Sequence, residues 1–155
     1  MLLNVGDDAP EFEGEVADGS KIKLSDFKDK LVILYFYPKD NTPGCSIEAS
    51  SFNNLKSEFD KRNIIIIGIS KDDLNSHKDF SEKLCLNFPL ISDSESDICE
   101  QYGVYVQKSM FGKKYMGIDR VTFLIDKQAK IAYIWNKINV MSHANNVLEY
   151  IDSII

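Results

Sequence analysis

The chain has 155 residues, 44% of them hydrophobic, a composition and length that suit a single domain spanning residues 1–155. Its formal net charge of −6 excludes a nucleic-acid surface, which needs clustered Lys and Arg. Its longest apolar runs, LVILYFY and IIIIGI, fall far short of the roughly 20 residues that cross a bilayer, so no membrane is expected as a partner.

The opening MLLNVGDDAPEFE has no basic region and meets acidic residues at once, so it is not read as a secretory signal. EVADGSKIKL follows, with Asp18-Gly19 between two short alternating runs, which predicts an N-terminal β-hairpin. LVILYFY (31–37) is continuously apolar and rich in β-formers, the pattern of a strand buried on both faces. A helix is expected from about residue 44 to 61, then a second buried strand at 63–70, a helix at 74–85 and a short strand at 88–93. A short helix at 96–103 ends at Gly103. Two adjacent strands follow at 120–126 and 130–136. Ser142 caps a last helix with Ala144, Val147, Leu148, Ile151 and Ile155 on one face. Strands alternating with helices, then an antiparallel pair, predict an α/β fold with a mixed central sheet flanked by helices.

Such sheets bind ligands at the carboxyl ends of their central strands. Cys45 lies there, just past strand 31–37 and at the start of the next helix. Only about 3% of an ordinary thiol is ionised at pH 7, and the thiolate is the reactive form. A helix start favours negative charge through its free N–H groups and its dipole. Pro43 supplies the entry geometry, and the Thr42 hydroxyl lies within reach. Lowering a thiol pKa by two to three units needs roughly 3–4 kcal/mol, more than one helix terminus supplies. A cationic partner is therefore required, and Arg120, which opens RVTFLID and cannot lose its proton, is the best candidate. Cys45, Ala49, Phe52, Leu55 and Phe59 share a helical face that should point at the core. Glu48, one turn on from Cys45, could hold an arginine. A packed, inert thiol is the bland alternative for any buried cysteine.

FYPKDNTPGC carries Pro38, Thr42 and Cys45 in a Pro-x-x-x-Thr-x-x-Cys pattern. With GISKD, FPLISD, CEQYGV, MFGKKYMGIDRVTFLID and VGDDAPEF, it resembles the peroxiredoxins, and among them the bacterioferritin comigratory protein or peroxiredoxin Q class. The resemblance runs along almost the whole chain. It implies a thioredoxin-like fold and a thiol-dependent peroxidase that acts on hydrogen peroxide and alkyl hydroperoxides and needs no metal or other cofactor. It also implies roles. Cys45 matches the peroxidatic cysteine, Thr42 the hydroxyl that bonds thiolate and peroxide, and Pro38 the shield of the pocket. Arg120 matches the arginine that polarises the peroxide, and Glu48 a polar residue supporting that arginine.

The chain departs from the pattern where many members carry a resolving cysteine. Five residues after Cys45 stands Ser50, and the alternative position on the next helix is Ser81. Cys85, one turn beyond Ser81, is either a displaced resolving cysteine or a core thiol near a helix end; Cys99 is read as packing. A one-cysteine mechanism follows, with thioredoxin, glutaredoxin or glutathione as reductant. The alternative is a redox-sensing or binding domain with negligible turnover.

With three cysteines, an odd and small number, a secreted disulfide framework is not expected. The expected setting is the cytoplasm, and a monomer is expected from the resemblance. His77, in the polar run NSHKDF, is read as solvated, and His143 opens the last helix; neither is placed with Cys45. KSMFGKKYMG (108–117) is read as a structured loop, with Phe111 and Met116 either walling the substrate pocket or meeting a partner.

Overall fold

The computed structural model of the protein describes residues 2–155. In chain order come β1 (Glu13–Glu15), β2 (Lys21–Lys23), a 3-10 turn (Leu24–Phe27), β3 (Leu31–Phe36), α1 (Pro43–Asn54) and α2 (Lys56–Lys61). β4 (Ile64–Ser70), α3 (Leu74–Leu84), β5 (Leu90–Ser92) and α4 (Ile98–Gln101) follow. β6 (Tyr105–Met110), β7 (Lys113–Ile118), β8 (Val121–Ile125), β9 (Ile131–Trp135) and α5 (His143–Ile154) complete the chain. Seven strands form one sheet in the order β2-β1-β5-β4-β3-β8-β9. β3, β4 and β5 run parallel, β8 pairs antiparallel with β3, and β9 pairs antiparallel with β8. This is the mixed, helix-flanked sheet expected from the sequence, and β1 and β2 are its N-terminal hairpin, with Gly19 at φ 85° in the turn.

β3 explains itself by alternation. Its Val32, Leu34 and Phe36 join a core with Phe12, Ile98 and Tyr102 on one side of the sheet. Ile33 and Tyr35, with Tyr37 just beyond the strand, join a second core with Cys45, Phe52, Phe80 and Val147 on the other. A strand covered on both faces has no polar side, hence the unbroken apolar run. α1, α2, α3 and α5 all feed the second core, so the helix that carries Cys45 lies over the central strand.

Three expectations are corrected. The helix drawn from residue 44 to 61 is two helices, broken at Leu55 (φ −99°, ψ 6°). Asn53 at the break spends its side chain elsewhere: its Nδ2 donates to the Cys85 carbonyl at 3.0 Å, and its Oδ1 accepts from Asn87 N–H at 2.8 Å. The loop drawn at 108–117 is a hairpin, β6 paired with β7. Its two turn residues, Phe111 (φ 52°) and Gly112 (φ 78°), both take the left-handed conformation of a tight primed turn. His77 is not solvated but fully buried.

Phe52 anchors α1, stacking on Tyr35 at 4.9 Å and meeting the His143 ring edge-on at 5.6 Å. Phe52→Ala is expected to cost about 3–5 kcal/mol, read as a lower urea midpoint at unchanged slope. A loss under about 1 kcal/mol would contradict this packing.

Candidate active site

The site is built where β3 hands the chain to α1. The residue before a proline is steered away from helical geometry, and Thr42 is extended (φ −84°, ψ 153°) at the N-cap. Pro43 opens the helix, where its missing N–H costs nothing. Cys45 is the third residue of α1, within the first turn whose backbone N–H groups have no helical acceptor. Its side chain turns inward and is 2% exposed.

Arg120 comes from the bend between β7 and β8. Its Nη2 donates to Cys45 Sγ at 3.4 Å, and its Nη1 donates to Glu48 Oε1 at 2.5 Å. One guanidinium thus spans the sulfur and the carboxylate. Burial works against the Arg120 charge, but Glu48 and Cys45 outweigh it and hold its pKa above the ordinary value. Burial pushes the Glu48 carboxyl up to about 7, and Arg120 offsets this only in part. Glu48 Oε2 is buried with no hydrogen-bond partner among the described residues.

The remaining expected residues are placed as follows. The Thr42 hydroxyl donates to the Lys39 carbonyl at 2.9 Å, a bond inside its own loop. Pro38 is exposed on the same loop. Ser50 and Ser81 are both half-buried on α1 and α3. Cys85 is exposed, which corrects the core-thiol alternative: it lies beyond the end of α3 in the left-handed conformation (φ 54°, ψ 45°). Its carbonyl is tied to Asn53, eight residues along α1 from Cys45. Cys99 is buried in the other core, across the sheet from Cys45. Phe111 at the hairpin tip is 99% exposed and Met116 is 51% exposed, so neither packs as a wall.

Sequence reasoning passed over Gly44. A Cβ there would sit 3.3 Å from Arg120 Nη2, so the glycine leaves the guanidinium room to reach the sulfur. His143, expected only to open the last helix, is buried and hydrogen-bonded through Nε2 to Thr122 Oγ1 at 2.8 Å. Burial, with the Arg120 charge, pushes its pKa down to about 4, so His143 is neutral at pH 7.

Known proteins share this arrangement of fold and sequence. Residues 5–134 match the AhpC/TSA family. The chain belongs to that family. It is 47% identical over 148 residues to the putative peroxiredoxin bcp of Coxiella burnetii, covering 96% of this chain and 98% of the relative. The crystal structure of a Cys-to-Ser mutant of Xylella fastidiosa PrxQ superposes with a TM-score of 0.93 at 35% identity, covering 99% of this chain and 98% of that one. A yeast mitochondrial 1-Cys peroxiredoxin, described with a thiol resolving mechanism via glutathione/thioredoxin systems, superposes with a TM-score of 0.81 at 31% identity. That match covers 99% of this chain and 76% of the yeast chain. The fold is therefore the thioredoxin-like fold of peroxiredoxins. The chain is a peroxiredoxin of the bacterioferritin comigratory protein and peroxiredoxin Q class, a thiol-dependent peroxidase.

Glu48 gives this peroxiredoxin a pH-dependent stability. Its carboxyl ionises at about 7 when folded, against an ordinary value of 4.5. Below the unfolded value both states hold the proton and nothing is lost. Between the two values only the folded state holds it, so stability falls as pH rises, and the full cost is present above the folded value. The expected loss for wild type relative to Glu48→Gln is about 3 kcal/mol between pH 4.5 and 7.5, measured by urea unfolding. Parallel stability curves for the two proteins would contradict the assignment.

Proposed function

We propose that the protein reduces hydrogen peroxide and alkyl hydroperoxides through Cys45. The Cys45 thiolate attacks one peroxide oxygen, an S–O bond forms, and the O–O bond breaks. Sulfur is oxidised to sulfenic acid, and the departing hydroxide or alkoxide takes a proton to become water or alcohol. Arg120 favours the sulfur's negative charge before attack and the oxygen's after it, as do the free N–H groups of the first turn of α1. Glu48 orients Arg120. Thr42 and Pro38 complete the loop around the sulfur, with the Thr42 hydroxyl turning from Lys39 to the peroxide when substrate enters. The observation that carries this reading is the Arg120 bridge from Cys45 to Glu48.

The resolving step is of the one-cysteine type. Positions 50 and 81 are serines. Eight residues of helix separate Cys45 from Asn53, about 12 Å along the axis, and Cys85 sits at the Asn53 end. A disulfide needs Cα atoms within about 7 Å, so Cys85 reaches Cys45 only if α1 unravels. An external thiol then attacks the sulfenic sulfur, giving a mixed disulfide and water, and a second thiol releases Cys45. Thioredoxin, glutaredoxin or glutathione would fill that role, and the yeast one-cysteine structure, described with glutathione/thioredoxin systems, supports two of the three. The free thiols suit the cytoplasm, and no helix of the described residues is long and apolar enough to cross a membrane. We take residues 1–155 as one domain, acting as a monomer. The missing local resolving cysteine also favours a second reading, a peroxide sensor with negligible turnover.

Mass spectrometry after one equivalent of hydrogen peroxide should find oxidation confined to Cys45 and absent in Cys45→Ser. Arg120→Met is expected to slow that oxidation by about 10²–10³-fold. Turnover with thioredoxin, glutaredoxin or glutathione should persist in Cys85→Ser. Oxidation first at Cys85 or Cys99 would overturn the peroxidase assignment. A Cys45–Cys85 disulfide, with turnover lost in Cys85→Ser, would overturn the one-cysteine route. Fast oxidation with no turnover on any of the three reductants would favour the sensor.

A further inference from the structure

A second buried polar cluster lies on the loop that leads to Cys45, and it makes no hydrogen bond to Cys45, Arg120 or Glu48. At its centre Asp40 Oδ2 and His77 Nδ1 are 2.7 Å apart, with the two side chains 1% and 0% exposed. The Tyr37 hydroxyl donates to Asp40 Oδ1 at 2.6 Å, and the Ser76 hydroxyl to Asp40 Oδ2 at 2.8 Å. Across the ring, His77 Nε2 lies 2.9 Å from the Ile91 carbonyl. The Asp40 N–H donates to Asp72 Oδ2 at 2.9 Å, and Ser70 Oγ donates to the same oxygen at 2.6 Å.

The protonation state follows from the partners. A carbonyl oxygen can only accept, so Nε2 carries a proton. Asp40 accepts the Tyr37 and Ser76 hydroxyls, and its Oδ2 also meets His77 Nδ1. Burial alone would raise the Asp40 pKa, but the bonds from His77, Tyr37 and Ser76 hold it below the ordinary value. Asp40 and His77 are thus joined by a buried hydrogen bond between Oδ2 and Nδ1. The ligand atoms of Asp40, Asp72 and His77 lie within 4.8 Å of one another. Donors within the protein already occupy them, which makes the cluster a crosslink and not a cation site.

The crosslink joins Tyr37 just beyond β3, Asp40 on the loop, Ser70 at the end of β4, Asp72 before α3, His77 on α3 and Ile91 on β5. The loop it holds also contains Pro38 and Thr42 and sets the first turn of α1. Asn41 within it takes the left-handed conformation (φ 63°), which the surrounding bonds must maintain.

We propose that Asp40 and His77 are positioning residues for the peroxide reaction, their buried hydrogen bond latching the 38–42 loop so that the start of α1 presents Cys45 to Arg120. The inference rests on Cys45 being the peroxide-reactive residue. It separates the two half-reactions. Attack on peroxide needs the first turn intact, whereas an external thiol must reach a sulfur that is 2% exposed and gains when that turn loosens.

The test uses the full chain with His77→Gln, Asp40→Asn, their double variant, and Tyr102→Phe as a buried-hydroxyl control in the other core. Amide exchange by mass spectrometry should quicken about tenfold or more over residues 38–46 in each latch variant and not in the control. Oxidation of Cys45 by hydrogen peroxide should slow about tenfold or more, while dithiothreitol reduces the preformed sulfenic acid no more slowly than in wild type. The double variant should be no slower than the slower single one, as for two members of one unit. If either single variant fails to fold, Ser76→Ala, which removes one donor from a half-buried site, should show the same pattern in smaller measure. Unchanged exchange at 38–46, exchange quickened equally across β4 and α5, or a parallel fall in both half-reactions would overturn the proposal. Wild-type protein inert to peroxide would refute the proposed function instead, and the exchange comparison would still decide the latch.

Discussion

The Arg120 guanidinium lies between the Cys45 sulfur and the Glu48 carboxyl, and the rest of the site is arranged around that contact. The sulfur and the carboxyl are almost fully buried, where an isolated charge is costly. A planar, permanently charged fork can meet both at once, which a lysine could not do with the same geometry. The contact is also asymmetric. Glu48 leaves one oxygen unpartnered and ionises only near neutrality, so Arg120 is not fully neutralised by its carboxylate partner. Positive charge therefore remains available on the side that meets the sulfur.

The sheet makes this meeting possible. β8 runs antiparallel to β3 with Val121 opposite Phe36. That register brings Arg120, one residue earlier, to the end of β3 where the chain departs for α1. The helix start then supplies the sulfur from above the same strand end, and Gly44 keeps the intervening space open. Shifting the register by one residue would send every β8 side chain to the other face. The two cores fix that register, because Phe123 belongs to one and Leu124 to the other. Stability of the sheet and geometry of the site are in this sense one constraint.

How much of this could be read from the sequence depended on how far apart the partners are. Thr42, Pro43 and Cys45 act within one turn, so the helix entry was legible from local rules. The apolar run of β3 and the Asp18-Gly19 turn were legible for the same reason. The Arg120 contact spans 75 residues. It could be argued as an electrostatic need and named through the family resemblance, but spacing alone did not supply it. His77 shows the limit most plainly. Its neighbours in sequence are polar, so it read as solvated, yet its partner Asp40 lies 37 residues away and draws it into the core. The Phe111-Gly112 turn was missed because Phe is an unusual residue for a positive φ. The break at Leu55 has no local mark in the sequence, and the bonds that Asn53 makes beside it, to the segment after α3, are also long-range.

The central proposal is that the Arg120 contact makes Cys45 the reactive thiol, and alkylation tests it without involving peroxide or reductant. Iodoacetamide, a neutral reagent, consumes the thiolate, so its rate at pH 6 reports the ionised fraction. In a Cys85→Ser background, where the exposed competing thiol is gone, replacing Arg120 by Met should slow Cys45 alkylation at pH 6 by about tenfold or more while the fold is retained. Equal rates with and without the guanidinium would contradict the account.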